Sequence, residues 1–169
     1  NFSNISWNVG SILKPKENIN VFINAGSAWR APAPNELYSN GLHQGLGSIE
    51  RGNPNLKTEQ VYNITATGLY QTQKYSLEVT AYHNQFRNFI YLNPSTQPEL
   101  TIKGAYPVFN YLQADARISG IDGKSSAEGL KHLQLTGKAM ILRAWNYTIR
   151  DYLVYMPSDR YSLDAKVFT

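Results

Sequence analysis

Apolar and polar residues alternate along most of this chain, and this period of two constrains its fold more than any other feature. Successive side chains of a β-strand point to opposite faces, so the alternation predicts strands with one apolar and one polar face. Helical periodicity is nearly absent. The pattern therefore predicts an all-β protein of about seven long strands, in residues 3–13, 19–30, 60–70, 75–86, 110–120, 132–142 and the run that begins at Arg160.

The charged residues inside these runs are predicted to share the polar face. A shift of one residue would move each charge to the apolar face. Where that face meets lipid, a Lys or Arg at the bilayer midplane costs about 2–4 kcal/mol. The charges assigned in this way to the polar face are Glu78, Asp115, Arg117, Lys138, Asp164 and Lys166.

The connections between the runs alternate in length. Short links fall at residues 14–18 and 71–74 and in a predicted turn at residues 125–129, whereas residues 31–58, 93–106 and 146–157 are long and polar. Short links at one end and long links at the other predict an antiparallel up-and-down meander. A connection as long as residues 31–58 is usually functional or disordered.

The long segment 31–58 contains local signals of its own. Asn35 is predicted to cap a single helical turn that carries Glu36, Leu37 and Tyr38. The glycines at positions 41, 45 and 47 predict a flexible stretch, and Asn53-Pro54-Asn55-Leu56 predicts a type I turn that returns the chain to the next strand.

Two classes of all-β protein fit this alternation, a transmembrane β-barrel and a soluble sandwich. The strands are about twice the usual five or six residues. Aromatic residues collect near the strand ends beside the long segments, which is typical of a membrane girdle and favours the barrel. A carbohydrate-binding sandwich remains the alternative. The girdle residues are Trp29, Phe86, Phe89, Tyr91, Phe109, Tyr111, Trp145 and Tyr147.

Composition excludes several functions. The 169 residues include no cysteine, which excludes disulfides and thiolate metal sites. The net charge of +4 is spread over scattered Lys and Arg, which does not predict nucleic-acid binding. With a mean hydropathy of −0.40, no stretch reaches the roughly 18 apolar residues of a membrane helix. No nucleophile, zinc or phosphate-loop motif is present, so neither an enzyme, a cofactor nor a metal site is predicted.

Residues 29–59, WRAPAPNELYSNGLHQGLGSIERGNPNLKTE, carry a specific resemblance. An aromatic-Arg-x-Pro, then Glu-Leu-Tyr, then Gly-Asn-Pro-x-Leu-x-x-Glu resembles a signature in the C-terminal half of the TonB-dependent receptor barrel. Thr58 and Asp122 stand where that family often has Pro and Glu, and residues 39–43 are similar to receptors of the Bacteroidetes type. The matching residues are Arg30, Pro32, Glu36, Leu37, Tyr38, Gly52, Asn53, Pro54, Leu56 and Glu59.

The resemblance implies that residues 1–169 are an incomplete piece of a 22-stranded transmembrane β-barrel, about a third of it, without the family's plug domain and C-terminal strands. It implies a place in the cell outer membrane of a Gram-negative bacterium. The implied function is TonB-dependent uptake of a scarce ligand, foremost an iron complex such as a ferric siderophore or haem.

The implied partners are outer-membrane lipid, the receptor's own plug domain and remaining strands, the TonB complex reached through the plug, and the transported small molecule. Expressed alone, the piece is expected to self-associate through its unpaired edges.

Candidate ligand contacts lie in the long segments. They are His43, Glu50 and Arg51 in the first, and Arg150, Asp151 and Tyr152 in a later one. The His43 ring is a candidate iron or haem ligand, and a merely solvated histidine is the alternative.

Arg30, Glu36 and Glu59 are further expected to form a polar cluster in which Arg30 donates in bidentate fashion and ties the long segment to the wall. Three independent surface charges are the alternative.

Overall fold

The structure is a computed structural model and describes residues 4–130 and 133–168. Its helix is α1 (Pro34–Tyr38). Its strands are β1 (Trp7–Lys16), β2 (Ile19–Arg30), β3 (Asn40–His43), β4 (Ser48–Arg51), β5 (Glu59–Gln71), β6 (Tyr75–Pro94), β7 (Glu99–Thr101), β8 (Gly104–Tyr106), β9 (Val108–Leu130), β10 (Leu133–Asn146), β11 (Asp151–Tyr152) and β12 (Arg160–Val167). None of the described helices has the length and apolar character to cross a membrane.

The seven predicted long strands are present and form one antiparallel sheet. Its order is β1-β2-β5-β6-β9-β10, with β12 paired to the far side of β10, so long strands that follow each other in the chain are neighbours. This confirms the up-and-down meander. In the described residues β1 and β12 each pair with one long strand only, so the sheet is open.

The soluble sandwich is excluded by this topology. A sandwich needs two sheets packed face to face. The described residues contain one further sheet, the two-stranded hairpin of β7 and β8, which is far too small to cover the large one. The large sheet is accordingly left with many exposed apolar side chains, including Ile64, Ile121 and Leu163.

The strand register assigns each side chain to a face. Residues directly opposite each other on neighbouring strands share a face. One such row runs Ile23, Ala66, Ala81, Ile121 and Ile141 across five strands. We call this side the apolar face. A row of the opposite side, the polar face, runs Glu78, Lys124, Lys138 and Ser162.

Two of the predicted charge positions are wrong. Arg117 stands opposite Gln85 and Trp145, and Gln85 stands opposite Tyr62, which places Arg117 on the apolar side of the sheet. Asp115, two residues earlier in β9, shares that side. The physical reason is that Ala116 is fully buried in a cluster with Ala144 and Leu153, so this small-residue run packs inward at the loop end.

The long connections meet at one end of the sheet. We call residues 31–58 the first loop, 95–107 the second loop and 147–159 the third loop. At the other end, residues 17–18 and 72–74 form short turns. The turn predicted at residues 125–129 is wrong. Ser126 instead pairs with Ser76 on one side and Thr136 on the other, so hydrogen bonding on both sides keeps this part of β9 extended.

The first loop is more regular than predicted. Helix α1 begins at Pro34 with Ala33 at its N-cap, so Asn35 lies inside the helix and does not cap it. The glycine-containing stretch predicted to be flexible is the hairpin of β3 and β4. The predicted turn is confirmed, because the N–H of Leu56 donates to the carbonyl of Asn53 at 3.3 Å.

The predicted aromatic girdle is only partly correct. Phe86 and Phe89 form an edge-to-face pair at 5.0 Å that packs against the Ala116 cluster beneath the loops. Tyr111 hydrogen-bonds inside the loop region. Trp145 does share the apolar face with Tyr62. Several aromatics at the strand ends thus stabilise the loops and do not face outward.

Candidate functional site

Arg30, Glu36 and Glu59 form a three-residue cluster that we call the loop anchor. Arg30 Nη1 donates to both carboxylate oxygens of Glu36, at 2.8 and 3.0 Å. Its Nε and Nη2 donate to the two oxygens of Glu59 at 3.3 and 3.2 Å. Since Arg30 ends β2, Glu36 lies in α1 and Glu59 begins β5, one guanidinium joins three separate elements.

The loop anchor combines two mostly buried carboxylates with charge-assisted hydrogen bonds from a more exposed arginine. The side chains of Glu36 and Glu59 are 13% and 12% exposed, whereas Arg30 is 42% exposed. Burial alone would raise the pKa of Glu36, but the hydrogen bond and positive charge of Arg30 and the N–H of Ala33 together hold it below its ordinary value. The hydrogen bond to Glu36 in turn raises the pKa of Arg30. Arg30 and Glu36 therefore stabilise each other's charged forms.

Glu59 also connects the loop anchor to a bulge in β6. Its Oε2 accepts the backbone N–H of Ile90 at 2.8 Å. The register between β6 and β9 shifts between Phe86 and Phe89, and Asn88 within that shift has φ 55°. The Gln113 side-chain amide nitrogen donates to the Asn88 carbonyl at 3.0 Å, and its Oε1 accepts the backbone N–H of Lys57 at 2.9 Å. Side chains of β5 and β9, the two strands that flank β6, thus hydrogen-bond to the backbone of the bulge.

Gly52 lies where two parts of the sequence signature meet in the folded chain, the Glu36-Leu37-Tyr38 stretch and the segment that begins at Gly52. A Cβ at this position would lie 2.6 Å from backbone atoms of Leu37 and Tyr38 and 2.7 Å from the backbone nitrogen of Ser39. The Gly52 N–H donates to the Ser39 carbonyl at 2.7 Å, and the next N–H, of Asn53, donates to the Glu36 carbonyl at 2.8 Å. The chain after β4 therefore packs backbone to backbone on the end of α1.

A second contact holds the base of the first loop. The Tyr111 hydroxyl donates to Glu50 Oε2 at 3.1 Å and accepts from the Asn35 side chain at 3.2 Å. Burial, followed by the hydrogen bond to Glu50, raises the pKa of Tyr111. Glu50 itself is only 8% exposed. The predicted ligand residue Glu50 is therefore already engaged within the protein.

The three loops are connected at the same end of the sheet, the first to the second by an ion pair and the third through the start of β9. Strand β4 pairs in parallel with the start of β9, with Glu50 opposite Phe109. The Phe109 ring lies 6.3 Å from the Tyr155 ring of the third loop. Arg51 forms an ion pair with Glu99 of the second loop. These contacts give the loop end one connected surface.

The remaining candidate ligand residues are exposed on this loop end. His43 ends the exposed strand β3. Arg150 has φ 56° and is exposed. Tyr152 is 61% exposed, and its ring packs edge to face on Trp145 at 5.3 Å. The Asp151 carboxylate accepts the N–H of Tyr152 at 2.7 Å. Among the described residues, no three His, Asp or Glu side chains are grouped so that they could hold a metal ion.

A cavity of about 670 Å³ lies on the polar face between β6, β9, β10 and β12, and Asp159 at the end of the third loop also lines it. Charged side chains of both signs line it. One oxygen of Asp122 there is buried without a hydrogen-bond partner in the structure. The charged lining residues are Glu78, Asp122, Lys124, Lys138, Asp159 and Arg160.

Sequence reasoning missed the role of Tyr111 and of the side chains around the bulge. The sequence pattern predicts Tyr111 in an outward girdle, and nothing near it in the sequence predicts its hydrogen bond to Glu50, 61 residues away. The one signal for Tyr111 in the sequence is its position at a strand end beside a long loop. That position fits an outward girdle residue and a loop-binding residue equally well.

Comparison with known proteins assigns the fold and the family. Residues 1–167 match the family described as TonB dependent receptor-like, beta-barrel. The chain therefore belongs to the TonB-dependent receptor β-barrel family, whose members lie in the outer membrane of Gram-negative bacteria. This confirms the fold, the family and the localisation that the signature implied. The finer Bacteroidetes type stays a prediction.

Individual relatives are distant and much longer. Transferrin-binding protein A of Neisseria meningitidis serogroup B is 27% identical over 121 residues, which is 70% of this chain and 13% of that protein. The copper transporter OprC superposes with a TM-score of 0.76 at 17% identity over 94% of this chain and 23% of that one. A mutant ferric enterobactin receptor, PfeA of Pseudomonas aeruginosa, gives 0.67 at 19% identity, over 96% and 25%. This chain spans about a quarter or less of the length of each of these proteins.

Proposed function

We propose that this chain forms part of the wall and outer loops of a receptor that takes up a scarce ligand, foremost an iron complex, in a TonB-dependent manner. Three things support the proposal: the family, relatives named for iron complexes and transferrin, and the loop anchor. The loop anchor carries it furthest, because a single arginine fixes the longest loop to the wall at the end where barrels of this kind have their outer loops.

The ligand surface would be the loop end. The exposed groups His43, Arg150 and Tyr152 supply a ring nitrogen, a cation and an aromatic face. Arg51, which is half exposed although it pairs with Glu99, supplies a second guanidinium. Such a set suits an anionic or aromatic ligand. Glu50 would act indirectly, by holding the loop through Tyr111.

The partners follow the same proposal. The plug domain and the remaining strands would come from the rest of the receptor, and the TonB complex would be reached through the plug. The apolar face would meet lipid. The piece alone would self-associate through β1 and β12, whose outer edges are unpaired within the described sheet.

Uptake by the intact receptor tests the proposal. Cells that lack their own iron receptors would express it, with and without TonB, and accumulation of a ferric catecholate, a ferric hydroxamate, haem and copper would be measured. TonB-dependent accumulation of an iron complex supports the proposal. Uptake that is independent of TonB, or uptake of none of the iron complexes, contradicts it.

Loop substitutions then test the surface. We expect His43→Ala, Arg150→Gln and Tyr152→Ala to weaken ligand binding by several-fold each, and Lys74→Gln, in a short turn at the opposite end, to leave it unchanged. Binding is measured by titration of the purified receptor. An equal effect of all four substitutions would remove the loop end as the ligand surface.

A further inference from the structure

Strand β3 is an open edge of the sheet at the loop end. The start of β9 lies between β6 on one side and β4 on the other, and β4 in turn pairs with β3. The strand order at this end is therefore β6-β9-β4-β3. All four residues of β3 are exposed, and among the described residues this strand pairs with β4 alone.

The hydrogen bonds of β4 fix the phase of its ladder with β3. The Gly52 N–H donates to the Ser39 carbonyl at 2.7 Å, whereas the Ile49 N–H donates away from β3, to the Pro107 carbonyl at 2.9 Å. In an antiparallel ladder, pairs that bond to each other alternate with pairs whose backbone groups point outward. Ile49 therefore belongs to an outward-pointing pair, and its partner in that pair is Leu42.

Leu42, and by the same alternation Asn40, direct their backbone N–H and C=O groups to the free side of β3. No backbone group of the described turns and loops bonds to them. The free side of β3 thus offers two donors and two acceptors at the spacing of a strand. Another extended backbone matches this arrangement, which a metal complex or a small anion does not.

Strand β3 lacks most of the features that protect natural sheet edges. Proteins block free edges with proline, charged side chains or bulges, or they keep the edge strand short. With the sequence Asn-Gly-Leu-His, β3 is short, but it contains no proline and no Lys, Arg, Asp or Glu. Its register with β4 runs without a shift. The edge is therefore open to a further strand.

The edge is also held in place before any partner binds. Ser48, Ile49 and Glu50 of the neighbouring strand β4 are buried. The close backbone packing at Gly52 fixes the end of the same hairpin on α1. A strand that is already ordered loses little conformational freedom when a partner is added, so more of the contact energy is available for binding.

The side chains along β3 favour an uncharged and largely apolar partner. Leu42 is 38% exposed and stands opposite the buried Ile49, so a residue added beside Leu42 would extend an apolar row. No atom lies within 4 Å of a Cβ built on Gly41, so a large side chain has room beside it. Because β3 has no carboxylate, lysine or arginine, a charged residue on the added strand would find no counter-charge there.

We propose that β3 is a docking edge for an extended, uncharged peptide segment of a partner protein, which adds to the sheet as one more strand. The segment carries a large side chain beside Gly41 and an apolar one beside Leu42. This partner comes in addition to the ligand that the receptor takes up, and the docking edge is the same whichever ligand that is.

Selection from a display library of random ten-residue peptides on the intact purified receptor tests the docking edge. Each enriched peptide is synthesised, and its affinity is measured by titration. The variant Leu42→Pro removes an N–H on the free side, and its ring blocks a second strand. The bonds between β3 and β4 stay, because Gly41 and His43 make them. Leu42→Ala is the matched control, since it loses the same side chain and keeps the N–H.

We expect the enriched peptides to be uncharged and to alternate in apolar character. They should bind the Leu42→Pro receptor at least about tenfold more weakly than wild type, because a strand hydrogen bond is lost and the ring obstructs the edge. The Leu42→Ala receptor should bind them within a few-fold of wild type. Hydrogen exchange of the Asn40 and Leu42 amides should be fast in the free receptor and slow with peptide bound, with residues 100–103 of the second loop unchanged.

Four results would overturn the proposal: no enriched peptide, peptides that bind the Leu42→Pro receptor as tightly as wild type, an equal loss in the Leu42→Ala receptor, or slow exchange at Asn40 and Leu42 in the free receptor. The last result would mean that another segment of the receptor, or a second copy, already covers the edge. Asn40→Pro serves if Leu42→Pro disturbs the hairpin, because the preceding Ser39, at ψ 132°, already has the extended backbone that a residue before proline needs.

Discussion

The first and second loops leave the same end of the same sheet, yet they are held in different ways. The first loop has the loop anchor, the close packing at Gly52 and two buried apolar residues, Ile49 and Leu56. The second loop is a short hairpin in which Leu100 is 83% exposed and Ile102 fully exposed. We therefore expect the first loop to be the more stable of the two, although it is the longer, because it makes more buried contacts with the sheet.

The largest expected effect comes from Gly52→Ala. The added Cβ would sit 2.6 Å from the backbone of α1, so the two segments must separate and both of their hydrogen bonds weaken. We expect the first loop to lose about 2–4 kcal/mol of local stability. Hydrogen exchange of residues 36–53 in the intact receptor measures this loss. Gly41→Ala is the matched control, since nothing lies within 4 Å of its added Cβ, and similar exchange in both variants would refute the packing argument.

Removal of the loop anchor should have the next largest effect. Arg30→Gln leaves two mostly buried carboxylates without their partner. We expect a loss of about 1–2 kcal/mol, reduced from the value for a buried pair because Arg30 itself is 42% exposed. Limited proteolysis should then cut the first loop faster and leave the second loop unchanged. Equal acceleration in both loops would mean that the loop anchor does not act on the first loop specifically.

Acid should weaken the loop anchor in a predictable direction. The pKa of Glu36 is lower in the folded protein than its ordinary value of 4.5. Its contribution to stability is therefore fully present above pH 4.5 and is lost as the pH falls through the folded pKa. Proteolysis of the first loop should accelerate below pH 4.5 in the wild type. The Glu36→Gln variant, with no carboxylate to titrate there, should show a smaller change, and an identical pH profile would contradict the assignment.

The smallest effect is expected in the second loop. Glu99→Gln removes the charge that pairs with Arg51, and both side chains are well exposed, at 40% and 50%. Exposed pairs contribute about 0–1 kcal/mol. Hydrogen exchange of residues 99–106 should rise slightly, and that of the first loop should not change. A loss in the first loop as large as that of Arg30→Gln would mean that the two loops form one unit.

Prediction from sequence succeeded where local pattern and topology agree. The strands at residues 19–30 and 75–86 alternate regularly, and they form β2 and the first part of β6. The cluster of Arg30, Glu36 and Glu59 was expected from their shared segment and is present. Prediction failed at Arg117, because the side-chain alternation in this part of β9 follows the packing of Ala116 under the loops.

Four features could be predicted from the amino-acid sequence alone: the all-β class, the meander, the family and the residues of the loop anchor. These depend on alternation and on a short, ordered motif, both of which are local along the chain. Three features became visible only in the folded protein: the face that Arg117 occupies, the hydrogen bond between Tyr111 and Glu50, and the close backbone approach that excludes a side chain at Gly52. Each of these depends on strand register or on backbone approach between distant segments, and no local pattern encodes such distances.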